Sequence, residues 1–154
     1  MTVLRITKEF SLEMAHALMG YNGPCKNIHG HSYKLFVTVI GSPVTGKKSP
    51  RQGMVMDFRE LKAIVKKNII EKFDHALVLK NKMPEDVVEK ISKSFERLIL
   101  VDYQPTSENF LLDFVEIIKP KLPPEIKLYS LKLSETATSY SEWFEGDNVR
   151  VANP

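Results

Sequence analysis

Residues 31–41 read His-Ser-Tyr-Lys-Leu-Phe-Val-Thr-Val-Ile-Gly. β-Branched and aromatic side chains dominate this run, and they pack best on an extended, pleated backbone, so it reads as a strand. The segment before it, Val3 to Met14, alternates: Phe10, Leu12 and Met14 fall on one side, Glu9, Ser11 and Glu13 on the other. That is the period of a half-buried strand, with His16 continuing its apolar face. Gly20 to Pro24 supplies the turn residues between the two, so the pair is expected to run antiparallel.

Outward from this pair, Ser42 to Gly53 holds prolines, glycines and charges and reads as a long hairpin loop returning through Met54, Val55 and Met56. Asp57 with Glu60 three residues on has capping-box spacing, and Phe58, Leu61, Ile64, Val65 and Ile69 follow at helical spacing. Asp74 to Lys82 reads as loop and short turn, Pro84 to Phe95 as a shorter helix, and Leu98 to Val101 as a brief strand or extended linker. Thr106 or Ser107 caps a further helix built on Phe110, Leu111, Phe114, Ile117 and Ile118, which Pro120 ends. Lys127 to Glu135 and Ser139 to Phe144 are the last two strands. About four strands and two main helices, the helices lying between strand pairs, predict an α+β fold with a mostly antiparallel sheet.

The 154 residues suit a single domain spanning 1–154, and 43% hydrophobic content is enough to give it a core. Twenty-two basic against 19 acidic residues leave a net charge of +3, too small to argue for a nucleic-acid partner. Lys47, Lys48 and Arg51 read as a solvated loop. No apolar run approaches the length of a membrane span, and the N-terminus has no leader pattern, so no membrane partner and a cytoplasmic location are expected.

Chemistry concentrates in the histidines. His29 and His31, two apart on a strand, point to one face, and His16 ends the neighbouring strand on its inward side. Three neutral imidazoles with an open fourth position resemble a catalytic zinc site, although strand histidines can equally be satisfied by hydrogen bonds. Cys25, the single cysteine, can form no internal disulfide. It stands open as a fourth ligand, a thiolate base or nucleophile kept off the metal, or an inert buried thiol. Asp74 and His75 suggest an oriented acid/base, yet adjacent side chains seldom hydrogen-bond to each other. Glu108 and Glu135 are unremarkable taken singly.

Five blocks together resemble the 6-pyruvoyltetrahydropterin synthase superfamily: Cys25-Lys-Asn-Ile-His29-Gly-His31-Ser-Tyr33, Gly53-Met-Val-Met-Asp57-Phe-Arg-Glu-Leu61, Asp74-His75, Pro105-Thr-Ser-Glu-Asn109 and Ser134-Glu135-Thr136. Three residues between the cysteine and His-Gly-His, and the Met-Asp-Phe sequence, resemble its bacterial 6-carboxytetrahydropterin branch. The resemblance implies the tunnelling fold, a four-stranded antiparallel sheet with two main helices on one face, assembled as a homohexamer from two trimers with active sites at subunit interfaces. It implies zinc (Zn2+) held by His16, His29 and His31, with Cys25, Asp74 and His75 as catalytic residues. Glu135, Thr106, Ser107 and Glu108 are then expected to bind a small-molecule pterin. The implied reaction converts 7,8-dihydroneopterin triphosphate to 6-carboxy-5,6,7,8-tetrahydropterin in queuosine biosynthesis, the alternatives being a pyruvoyl product or a non-catalytic zinc or pterin-binding module. Lys26, or the Lys47, Lys48 and Arg51 loop, is a candidate for the triphosphate. Leu12 departs from the family's usual Phe, and Lys80 to Gln104 is longer than usual, which predicts an added helical excursion near the site.

Overall fold

The computed structural model describes residues 2–149. Strands β1 (Leu4–His16) and β2 (His29–Gly41) pair antiparallel over their whole length, from Leu4 opposite Gly41 to His16 opposite His29. Their burial follows the alternation of the sequence. Phe10, Leu12, Met14 and His16 are buried on β1, as are Tyr33, Leu35, Val37 and Val39 on β2, while Glu9, Ser11 and Glu13 face water.

At the Gly41 end, residues 42–57 fold back on themselves. Val44 donates its N–H to the Met54 carbonyl at 3.0 Å and accepts the Gly53 N–H at 2.8 Å, with Gly53 at a φ of 82° that favours glycine. Val55 and Met56 then enter the core. Asp57 caps α1 (Phe58–Val65), accepting the Arg59 N–H at 2.8 Å. Only half of the predicted capping box is present, because the Glu60 carboxylate accepts from the Arg51 guanidinium at 3.0 Å instead of reaching back. Phe58, expected on the apolar face, is half exposed.

The helix continues through a π-helical turn (Lys66–Ile70) into α2 (Glu71–Phe73). This turn has a packing consequence. Leu61, Val65, Ile69 and Phe73 are all fully buried, yet residues four apart drift about 40° per step around an α-helix. The wider winding of the π turn takes up that drift and keeps one continuous stripe on the core.

The region expected to be loop and turn instead contains β3 (Ala76–Lys80), which pairs parallel to β1. Helix α3 (Glu85–Ser94), which matches the predicted short helix, carries the chain to β4 (Leu98–Val101), parallel to β3. Parallel neighbours need such a crossover. The missed strand Ala76-Leu-Val-Leu-Lys80 is a short, near-continuous apolar run, as parallel strands tend to be, and so offers no alternation to read.

Thr106 caps α4 (Ser107–Ile118), its hydroxyl accepting the Asn109 N–H at 3.3 Å, and Phe110, Leu111, Phe114, Val115 and Ile118 face the core. Strand β5 (Lys127–Ser134) pairs antiparallel to β2, β6 (Tyr140–Phe144) antiparallel to β5, and a short α5 (Glu145–Asn148) follows. The sheet order is β4-β3-β1-β2-β5-β6. The four expected strands form its antiparallel portion, but the sheet is mixed and six-stranded, not a four-stranded antiparallel sheet. Among the described residues no helix is long and apolar enough to cross a membrane.

Phe73, Phe110 and Phe114 lock the helices to the sheet, with ring centroids 5.2 to 6.4 Å apart. Phe110 also lies 6.1 Å from the His16 ring, so the core reaches the histidines directly. Truncating Phe114 to alanine is expected to cost about 3–5 kcal/mol of stability, the range for deleting a buried ring. Urea unfolding of the variant checks this.

Candidate active site

The register of β1 and β2 sets His16, the last residue of β1, directly opposite His29, the first of β2. His31 follows on the same side. The three imidazoles offer nitrogens within 4.8 Å of one another, and the group comprises these histidines without Cys25.

Backbone carbonyls orient two of the rings. The Pro105 carbonyl lies 2.6 Å from His16 Nδ1, and the Asn27 carbonyl 2.8 Å from His29 Nδ1. A carbonyl can only accept, so each Nδ1 carries a proton, and in a neutral ring Nε2 then presents a lone pair. Those two Nε2 atoms face each other at 3.1 Å. Two acceptors at that distance repel unless a cation lies between them. His16 is 2% exposed, and burial lowers its pKa, with His29 and His31 pushing the same way against the Pro105 hydrogen bond and the Glu135 charge. Both effects favour the neutral imidazole, the form in which a histidine can bind a metal ion. The donor set fits a divalent transition ion with one position left open.

Glu135 follows β5 in a turn closed by its N–H to the Ser139 carbonyl at 3.0 Å. Its Oε1 lies 3.6 Å from both His16 Nε2 and His31 Nε2 and accepts the Tyr33 hydroxyl at 3.1 Å. Burial first, then the Glu135 charge, pushes the Tyr33 phenol far above its usual range, so it stays a donor.

Thr106 is the α4 cap, buried Ser107 shares a hydrogen bond with the Ser141 hydroxyl, and Glu108 is exposed on the first turn of α4. Half-buried Cys25 sits in a 3-10 turn (Pro24–Lys26) with its carbonyl accepting the Leu18 N–H at 2.9 Å. Lys26 beside it is exposed. The Lys47, Lys48 and Arg51 loop hangs from the other end of the strand pair, roughly 40 Å from the histidines at ~3.3 Å per residue. Within one chain it cannot serve them.

Asp74 and His75 are brought to each other, and His75 shares a hollow with His31. Asp74 Oδ1 accepts the Glu13 N–H at 2.8 Å, while Oδ2 lies 3.1 Å from His75 Nδ1. This pairing of neighbours depends on His75 adopting a φ of 60°, a left-handed conformation costly for a residue with a Cβ. The His75 side chain is 72% exposed. With Glu13, His31, Ser32, Leu77, Phe95 and Arg97 it lines a hollow of about 870 Å³. The end of the α3 excursion, at Phe95, borders that hollow.

Three contributors escaped the sequence reading. Tyr33 lies two residues beyond His31 on the same face, so the strand period already put it beside the centre. The carbonyls of Asn27 and Pro105 leave no signal in side-chain identity.

A curled sheet carrying a three-histidine centre beside a carboxylate narrows the class, and the comparisons define it. The pattern described as "6-pyruvoyl tetrahydropterin synthase" matches residues 5–145. The chain belongs to this enzyme family. It is 34% identical over 145 residues to the Haemophilus influenzae protein named 6-carboxy-5,6,7,8-tetrahydropterin synthase, covering 93% of this chain and 100% of the relative. It is 32% identical to the Aquifex aeolicus protein of the same name, covering 91% and 97%. Among solved structures, an uncharacterized Wolinella succinogenes protein superposes with a TM-score of 0.76 at 20% identity, covering 94% of this chain and 99% of that one. The Caenorhabditis elegans 6-pyruvoyl tetrahydropterin synthase gives a TM-score of 0.67 at 23% identity, covering 94% and 96%. At these identities the two structures attest the fold.

Replacing His29 with alanine is expected to abolish bound metal, whereas Cys25→Ala should retain it at full stoichiometry. Elemental analysis of the purified variants distinguishes a ligand from a residue held off the metal.

Proposed function

We propose that this protein is a zinc-dependent 6-carboxy-5,6,7,8-tetrahydropterin synthase. On this reading it converts 7,8-dihydroneopterin triphosphate to 6-carboxy-5,6,7,8-tetrahydropterin, releases acetaldehyde and triphosphate, and feeds 7-deazaguanine and queuosine biosynthesis. The observation that carries the reading is the convergence of His16, His29 and His31 beside the Glu135 carboxylate. Full-length relatives bearing that name support the product. So does the spacing of Cys25 to His29, with three residues between.

His16, His29 and His31 are the residues that would hold zinc, which when bound acts as a Lewis acid toward substrate oxygen. Glu135 offers two acceptor oxygens to the parallel amino and ring N–H donors of a pterin. Thr106, Ser107 and Glu108 form the adjoining wall; the α4 cap and the Ser107–Ser141 hydrogen bond keep that wall in place. Cys25 is the base that moves the side-chain protons. His75, its Nδ1 fixed by Asp74, is the second acid/base, with Nε2 free toward solvent. The Asp74–His75 pair, with the His75 side chain largely exposed, acts on the site of a second copy, within a homohexamer.

Incubating the zinc-loaded protein with 7,8-dihydroneopterin triphosphate should yield 6-carboxytetrahydropterin and acetaldehyde together, identified by chromatography and mass spectrometry. A pyruvoyl product would overturn the carboxy assignment and leave the zinc and pterin sites standing, while no turnover by the zinc-loaded protein would favour a binding module. Cys25→Ala and His75→Ala should each be inactive alone, yet turnover should return when the two are unfolded and refolded together. Complementation of this kind requires that the two residues serve one site from different chains.

A further inference from the structure

Glu135 hydrogen-bonds through its side chain to one group among the described residues, the Tyr33 hydroxyl, at 3.1 Å. The accepting oxygen, Oε1, is also the one 3.6 Å from the Nε2 atoms of His16 and His31. Donor atoms around a four-coordinate zinc ion at ~2.0–2.1 Å stand about 3.4 Å apart. Oε1 is therefore at nearly a ligand-to-ligand distance from two of the three histidines. Released from its hydrogen bond, that oxygen would be free to take the open position. In that arrangement the carboxylate would block the metal from the substrate and be lost as an anchor for the pterin ring.

We infer that Tyr33 is a positioning residue whose hydroxyl holds the Glu135 carboxylate off the metal and available to the pterin; this inference rests on the function proposed above. The phenol claims one lone pair of the oxygen nearest the metal. One lone pair on Oε1 and two on Oε2 remain, enough for two parallel donors. The holder cannot swing away. Tyr33 is 0% exposed, with its ring centroid 5.4 Å from His31 and 6.3 Å from both His16 and Phe110. It also stands two residues beyond His31 on β2, so a single strand fixes a metal ligand and the group that restrains the anchor. A hydroxyl serving only to satisfy its own burial would need no relation to the metal.

Tyr33→Phe preserves the ring and removes the hydroxyl. Two properties are read, both independent of turnover: neopterin binding by fluorescence, in zinc-loaded and metal-free protein, and zinc affinity by competition with a chelator. The released carboxylate is expected to close on the metal. Zinc-loaded Tyr33→Phe should therefore bind neopterin about tenfold or more weakly, the scale of one hydrogen bond to a charged acceptor. It should hold zinc more tightly than the parent protein. Unchanged neopterin and zinc affinities would overturn the inference. Glu135→Gln separates the levels of the argument. If it leaves neopterin binding intact, the pterin-anchor reading itself falls, and the inference with it. If it weakens neopterin binding while Tyr33→Phe does not, only the role of Tyr33 falls. Its zinc affinity provides a second test that needs no folded Tyr33 variant. A carboxylate already held off the metal predicts little change, whereas a marked loss of zinc would make Glu135 a resident ligand and overturn the inference.

Discussion

The antiparallel register between β1 and β2 is the constraint on which the rest depends. Thirteen residues on each side pair without a break, and the last rung sets His16 against His29. Because strand side chains alternate, a slip of one residue would turn an entire apolar face toward water and send one histidine to the wrong side. Burial of Phe10, Leu12 and Met14 against the helices therefore does two things at once. It stabilises the sheet, and it selects the register in which the imidazoles meet.

The same coupling of packing and chemistry recurs at the edges of the centre. Pro105 immediately precedes the α4 cap, so the placement of α4 also places the carbonyl that orients His16. The π turn keeps Leu61, Val65, Ile69 and Phe73 in line, and Phe73 in turn packs on Phe110 beneath His16. A site with donors about 3 Å apart needs such backing, since small displacements would separate its nitrogens.

The sequence disclosed the features that follow a period or a cap. The strand pair, the helix capped by Thr106, the histidine triplet and the shared face of His29 and His31 were all legible because side-chain alternation determines them. Strand β3 was not, since a parallel strand in this position shows a short apolar run with no polar face to mark it. Half of the capping box failed because Arg51, distant along the loop, competes for Glu60. The pairing of Asp74 with His75 looked unfavourable from adjacency alone, and it is made with His75 in a left-handed backbone conformation that leaves no mark in the sequence. Carbonyl orienting groups are invisible in principle, because every residue carries one.

His16 and Glu135 meet beside the core, whereas His75 is largely exposed and shares its hollow with His31. If each copy's pair completes the centre of the next copy around, the contact is head-to-tail and not a twofold exchange. Head-to-tail contacts either run on as a filament or close into a ring. On that condition a closed ring is the arrangement that would leave no copy's three-histidine centre without an acid/base pair.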